Sequence, residues 1–217
     1  KNSDTEVLLL SYIEWGLKCV DKFRGMFAFA IWDNIKKKVF FLRDRVGVKP
    51  LYYCEDKSGF IFSSEIKALI PLNQDLGSLD LPAINQYLSF IWSPGERTPF
   101  TKVKKLSPGA ALLVRDGGVT KQWSWYELPI KRKMSINTRG PKELIEATAS
   151  RVRDAVYSQL VADVSIGAFL SGGLDSSAVV AMAKERIPDI ECFTIAGAGG
   201  EGMVDDLAYA KKVAAHL

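Results

Sequence analysis

Apolar and polar residues follow different rhythms along this chain, and the changes of rhythm divide it. Residues 5–20 are densely apolar and rich in helix formers, with Asp4 where a helix cap would stand. The apolar positions there cover more than one face, which predicts a helix between layers. Short strand-like runs come next. Residues 26–32 and 38–43 flank Asp33-Asn34-Ile35-Lys36, and residues 51–54 and 60–63 flank the polar segment 55–59, giving two hairpins. A short helix is expected over 64–69, ended by Pro71. Leu81, Ile84, Leu88 and Ile91 have helical spacing within 81–92. Residues 110–114 and 119–125 flank Asp116-Gly117-Gly118, a third hairpin. Helix plus antiparallel sheet makes the first 126 residues an α+β pattern.

The texture then shifts. Pro129, the basic residues Lys131, Arg132, Lys133 and Arg139, and Pro141 read as an interdomain linker over 128–141. Beyond it, helix and strand alternate. A helix over 143–160 has Ile145, Ala149, Val152 and Val156 on one face, and a buried strand is expected over 164–170. A helix over 176–186, a strand over 190–195 and a helix over 205–217 follow. That order predicts parallel strands with crossover helices, an α/β domain. Two strands are few for such a sheet, so this second domain is expected to be truncated at its C-terminus. The boundaries read as 1–127, linker 128–141, and 142–217.

Composition removes several classes. Of 217 residues, 47% are hydrophobic and 25% charged, as in an ordinary globular protein. The net charge of +4 is mild and the basic residues are dispersed, so no nucleic-acid partner is expected. No apolar run is long enough to cross a bilayer, so no membrane partner is expected either. Cys19, Cys54 and Cys192 are an odd, widely spaced set without a CxxC pair, which argues for a reducing, cytoplasmic setting and against a disulfide framework or zinc site. His216 alone cannot form a metal cluster, and it reads as a surface residue.

The strongest chemical signal is Ser171-Gly172-Gly173-Leu174-Asp175-Ser176-Ser177, between a strand ending at Leu170 and a helix. Glycines at that junction let a ligand approach the main chain. Successive N–H groups, the helix dipole and three hydroxyls can cradle anionic oxygens. Asp175 is the natural carboxylate for Mg²⁺ beside phosphates. A plain strand-to-helix turn capped by Asp175 or Ser176 is the structural alternative. The string lacks the lysine of the Walker pattern. It closely resembles the signature of the PP-loop, or N-type ATP pyrophosphatase, superfamily. That resemblance implies attack on the α-phosphorus of ATP with release of pyrophosphate, then displacement of AMP by a nucleophile.

Upstream, Asp4-Thr5-Glu6-Val7, Phe23-Arg24-Gly25-Met26-Phe27-Ala28-Phe29-Ala30, Arg43-Asp44-Arg45-Val46-Gly47-Val48-Lys49-Pro50-Leu51-Tyr52-Tyr53 and Ser63-Ser64-Glu65-Ile66-Lys67-Ala68-Leu69 occur in order. Together with the loop they resemble glutamine-hydrolysing asparagine synthetases of the asparagine synthetase B type, over nearly the whole chain. The resemblance implies part of an Ntn-hydrolase (class II glutamine amidotransferase) domain, followed by a PP-loop ATP pyrophosphatase domain with a parallel sheet. Glutamine, aspartate and ATP would be substrates, Mg²⁺ a cofactor, and β-aspartyl-AMP the intermediate; a homodimer is compatible with it. Asp4 matches the carboxylate that binds the glutamine α-amino group. Leu170, Ser171, Gly172, Gly173, Leu174, Asp175, Ser176, Ser177 and Ile195 match ATP contacts. Arg43, Asp44 and Arg45 read as a structural ion network, Ser64 and Glu65 as a helix cap, and Asp205 and Asp206 as helix N-terminal acids.

The family nucleophile is an N-terminal cysteine, whereas residue 1 is lysine and none of the three cysteines falls where it should. The chain therefore reads as a middle piece, without glutaminase turnover and with weak nucleotide binding by itself. Two other readings stay open: a relative acting on another carboxylate or closing a lactam, and a non-catalytic nucleotide-binding module. An exposed partner face formed by Trp92, Trp123 and Trp125 would favour the module, although such aromatics are more often core.

Overall fold

The computed structural model describes residues 3–57, 59–72, 75–130, 139–195 and 206–217. The chain forms two compact units, Lys1–Arg132 and Lys133–Leu217. Residues 131–138 of the expected linker, and Asp205, lie outside the described residues.

The first unit is a stack of helix, sheet and sheet. Strands β1 (Ala28–Asp33), β2 (Lys38–Arg43), β6 (Ala110–Arg115) and β7 (Gly118–Ser124) form an antiparallel sheet in the order β1-β2-β6-β7. Strands β3 (Tyr52–Asp56), β4 (Gly59–Ser63) and β5 (Val103–Lys105) form a second, in the order β4-β3-β5. The period of two along β2 shows how the layers meet. Phe41 packs with Leu112, Val114 and Tyr53, against the second sheet. Phe40 and Leu42, on the opposite face, pack with Cys19, Val20 and the partly buried Leu8 and Tyr12. Burial on both faces explains why β2 reads as an unbroken apolar run. The three expected hairpins are present. The third turns through Asp116 (φ 50°) and Gly117 (φ 78°), a positive φ pair suited to a two-residue connection.

Helix α1 (Asp4–Trp15) is shorter than the apolar run, because Gly16 turns to φ 58° and the chain continues as a 3₁₀ helix over Gly16–Lys22. Ser3 holds the N-cap position and Asp4 sits in the first turn, so the expected cap role of Asp4 is corrected by one residue. Among the described residues α1 is covered on one side only; Leu10 and Ile13 are exposed, against the expectation of a helix between layers. The expected helix over 64–69 is a single 3₁₀ turn at Ile66–Ala68. Ser63, rather than Ser64, organises it by accepting from the Glu65 N–H and donating to the Glu65 carbonyl. Helix α2 (Leu81–Phe90) is capped by Asp80, which accepts from Ala83 N–H at 3.1 Å. It stops at Ile91, which is left-handed at φ 58°. Strand β5 was not legible as a strand: three residues are too few to show a period, and its pairing to β3 defines it.

Arg43, Asp44 and Arg45 act on the main chain, which corrects the ion-network reading. The Asp44 carboxylate accepts N–H groups from Phe27, Val46, Val48 and Lys49 at 2.9–3.3 Å. Arg43 donates to the carbonyls of Lys49, Leu106 and Gly47 at 2.5–2.7 Å. Arg45 donates to Phe23 O at 2.7 Å and lies over the rings of Trp125 and Tyr126. Gly47 is required here: at φ +69°, an added Cβ would lie 2.8 Å from Pro108 Cγ and 3.0 Å from Arg43 Cζ. Trp123 and Trp125 pack on the core, whereas Trp92 is exposed, so the three indoles do not act as one set.

The second unit places helix α3 (Pro141–Ser158) against α4 (Leu174–Lys184), with α5 (Asp206–His216) closing the chain. Strands β8 (Gly167–Phe169) and β9 (Glu191–Phe193) pair in parallel, in register from Gly167 with Glu191 to Phe169 with Phe193. Leu170, Val180 and Ala210 form the core, with Ala168, Ile190 and Val213 against it. The expected buried strand over 164–170 is corrected to three residues, with Phe169 exposed and only Leu170 buried. Two strands offer a narrow face, and among the described residues no second layer covers Phe169 or Phe193.

Candidate nucleotide site

The loop after β8 is held at both ends before any side chain reaches a ligand. Leu170 donates its N–H to Phe193 O at 2.9 Å, and Thr194 Oγ1 donates to Leu170 O at 2.6 Å. The departure point from the sheet is thereby tied to β9. Gly172 then takes φ +77°, and an added Cβ would lie 2.4 Å from Tyr209 C and 2.5 Å from Ala210 N. Only glycine fits, because the main chain of α5 lies directly behind the loop.

Gly173 is the N-cap of α4 and has no side-chain acceptor for the first turn. This corrects the alternative reading of Asp175 or Ser176 as cap; Asp175 sits in the first turn. The first intrahelical bond runs from Ser177 N–H to Gly173 O at 3.0 Å, leaving the N–H groups of Leu174, Asp175 and Ser176 ahead of it. The hydroxyls are mutually organised: Ser171 Oγ and Ser176 Oγ are 3.0 Å apart, and Ser177 Oγ donates to Gly173 O at 2.6 Å. Exposed N–H groups, hydroxyls and the positive end of a helix form a surface suited to a polyanion.

Beside the loop lies a recess of about 200 Å³ at the carboxyl ends of the two parallel strands. Its walls are Phe169, Leu170 and Ser171 from one strand end, Phe193, Thr194 and Ile195 from the other, and Asp206 from α5. Leu170, Ser171 and Ile195, singled out in the sequence, thus come together. Phe169, Phe193 and Thr194 were missed, since a phenylalanine or threonine at a strand end carries no signal of its own. A larger recess of about 650 Å³ between α3, α4 and the sheet is walled mainly by Val152, Val156, Leu160, Val179 and Ala183, and is too apolar for phosphates.

Among the described residues no group of three or more His, Cys, Asp or Glu side chains could hold a metal alone. A nucleotide-borne Mg²⁺ needs less, taking one or two carboxylates with phosphates and water, and Asp175 fits that modest demand. In the first unit, Asp4 is exposed in the first turn of α1. Cys19 and Cys54 are buried and Cys192 is exposed, none of them in a disulfide, and burial pushes the Cys19 thiol up. No helix among the described residues is long and apolar enough to cross a membrane.

Comparison with known proteins decides the family. Residues 1–126 match the family described as glutamine amidotransferase domain. The chain belongs to that family. Residues 147–217 match a second description, asparagine synthase. It is similar to asparagine synthetase [glutamine-hydrolyzing] 3 of Bacillus subtilis (strain 168), 39% identical over 84% of this chain and 29% of the relative. Asparagine synthetase [glutamine-hydrolyzing] 1 of the same organism is 35% identical over 100% of this chain and 33% of its own length. A putative asparagine synthetase [glutamine-hydrolyzing] 2 of Methanocaldococcus jannaschii is 36% identical over 97% of this chain and 41% of its own. The chain thus spans 29–41% of the length of these three relatives. The fold is an α+β amidotransferase domain followed by an α/β domain with a parallel sheet.

Proposed function

We propose that this chain is part of an ATP-dependent asparagine synthetase that takes ammonia from glutamine. Residues 1–127 belong to its glutaminase, 128–141 to a linker and 142–217 to its synthetase. The observation that carries the reading is the loop at Gly172, pressed against α5 by its main chain and opening onto the N–H groups of α4 that precede its first intrahelical bond.

In the reaction, an aspartate β-carboxylate oxygen attacks the α-phosphorus of ATP, and the bond to pyrophosphate breaks. Ammonia then attacks the acyl carbon of β-aspartyl-AMP, AMP departs, and asparagine is left after proton loss. Leu170 and Ile195 wall the base; Ser171, Gly172, Gly173, Leu174, Asp175, Ser176 and Ser177 receive the phosphates. N–H groups fixed before reaction stabilise charge building on pyrophosphate without reorganising. Asp175 would hold Mg²⁺, which supplies further charge neutralisation at the phosphates. Asp4 receives the α-amino group of glutamine. Catalysis by the loop is positioning and electrostatics rather than covalent chemistry by the protein.

The test uses the complete reading frame that encodes this chain, supplied with ATP, Mg²⁺ and ammonia, with and without L-aspartate, resolving AMP from ADP. Aspartate-dependent AMP with matching asparagine is expected. AMP formation only with a different carboxylate would replace the acceptor, and ADP as product would overturn the reading of the loop.

A further inference from the structure

We propose that Asp206 is a specificity-determining residue that accepts a hydrogen bond from the ribose hydroxyls of the bound nucleotide. The inference rests on the nucleotide reading of this site. Three observations converge on it. Asp206 lines the recess at the strand ends, whose other walls are mostly apolar and suit a flat base. Asp206 also precedes Tyr209 and Ala210 by three and four residues, so it shares their face of α5. That same stretch of α5 backs Gly172 in the phosphate loop. Asp206 therefore stands between the recess for the base and the cradle for the phosphates, and in a nucleotide the sugar occupies that interval.

An ionised carboxylate accepts and cannot donate. The sugar offers two hydroxyl donors at that place, while phosphate oxygens would be repelled. Carboxylates near strand ends do the same for ribose in other parallel-sheet nucleotide sites, where the acid bonds the 2′-hydroxyl. An acid in the first turn of α5 is also favourable to the helix dipole. That role alone gives no preference between ribose and deoxyribose, and this difference separates the two explanations.

The experiment measures binding by calorimetry, using protein from the complete reading frame with Mg²⁺ and no acceptor. ATP, 2′-deoxyATP and 3′-deoxyATP are titrated into wild type, Asp206→Asn and Asp206→Ala. A charged hydrogen bond is expected to make wild type prefer ATP over at least one deoxynucleotide by roughly 10- to 100-fold. Ala should lose that preference, its ATP affinity falling to the deoxynucleotide level, and Asn, whose carbonyl still accepts but without charge, should lose part of it. Asn retains the size of the side chain, so its result stands even where Ala disturbs α5. Equal weakening for all three nucleotides would overturn the assignment, as would a wild type that does not discriminate. A loss seen with Mg²⁺ but abolished without it would also overturn it and make Asp206 a metal-site residue. Failure of wild type to bind ATP at all would remove the nucleotide reading itself, and is distinguishable from these.

Discussion

Asp44→Asn tests the clamp that joins the β2 end to the loop before β3. The Asp44 carboxylate is buried and uses both oxygens twice: Oδ1 takes Val46 and Val48 N–H, and Oδ2 takes Phe27 and Lys49 N–H. Asparagine keeps the shape but turns one oxygen into an NH₂ donor, so two main-chain N–H groups face a donor. Leaving a donor unsatisfied costs about 1–3 kcal/mol where it is buried, and these bonds are part-buried. The Phe27 and Val46 bonds are the longer ones, at 3.3 and 3.2 Å, so the lower part of the range applies and the total is about 2–4 kcal/mol. The change also removes the negative charge beside Arg43, whose protonated form burial already disfavours. The assay is urea unfolding followed by tryptophan fluorescence. All five tryptophans, at positions 15, 32, 92, 123 and 125, lie in the first unit, so the signal reports that unit alone. A loss below about 0.5 kcal/mol would show that solvent or a rearranged loop satisfies these donors and that the clamp is not structural.

Other expectations follow from the same structure. Gly172→Ala forces a left-handed alanine, which costs about 1–2 kcal/mol, and drives a Cβ into the α5 main chain; nucleotide affinity should fall at least about tenfold by calorimetry, and unchanged affinity would refute the buttress. Burial pushes the Tyr53 phenol up to about 12, so its contribution to stability is complete below pH 10 and is lost as pH rises from 10 to 12. Two pKa units correspond to about 2–3 kcal/mol, so the urea midpoint should drop between those pH values and drop less in Tyr53→Phe; identical pH profiles would count against it. With a thiol reagent under native conditions Cys192 should react fast, and Cys19 and Cys54 only on unfolding; three equal rates would contradict their burial.

The strand and helix order, the three hairpins and the loop at 171–177 were legible because each has a local cause: a period of two or 3.6, an Asp-Gly turn, or a Gly-Gly junction between strand and helix. The sequence therefore determined the classes of both units and the place of the loop proposed to receive phosphates. It misjudged what depends on distant partners. The two-sided apolar pattern of α1 predicted burial, but which face is covered depends on what packs there. Arg43, Asp44 and Arg45 read as an ion network because neighbouring opposite charges suggest one; the main-chain groups that engage them come from positions up to 63 residues away. Strand β5 exists only through its pairing with β3. The glycine at position 172 read as room for a ligand at the main chain, yet the contact behind it belongs to Tyr209 and Ala210. Asp206 read as an ordinary helix-terminal acid until the fold brought it to the strand ends. Local rules act over a turn or a pair of residues, whereas burial, clamps and pockets are fixed by chain segments that meet only when the layers pack.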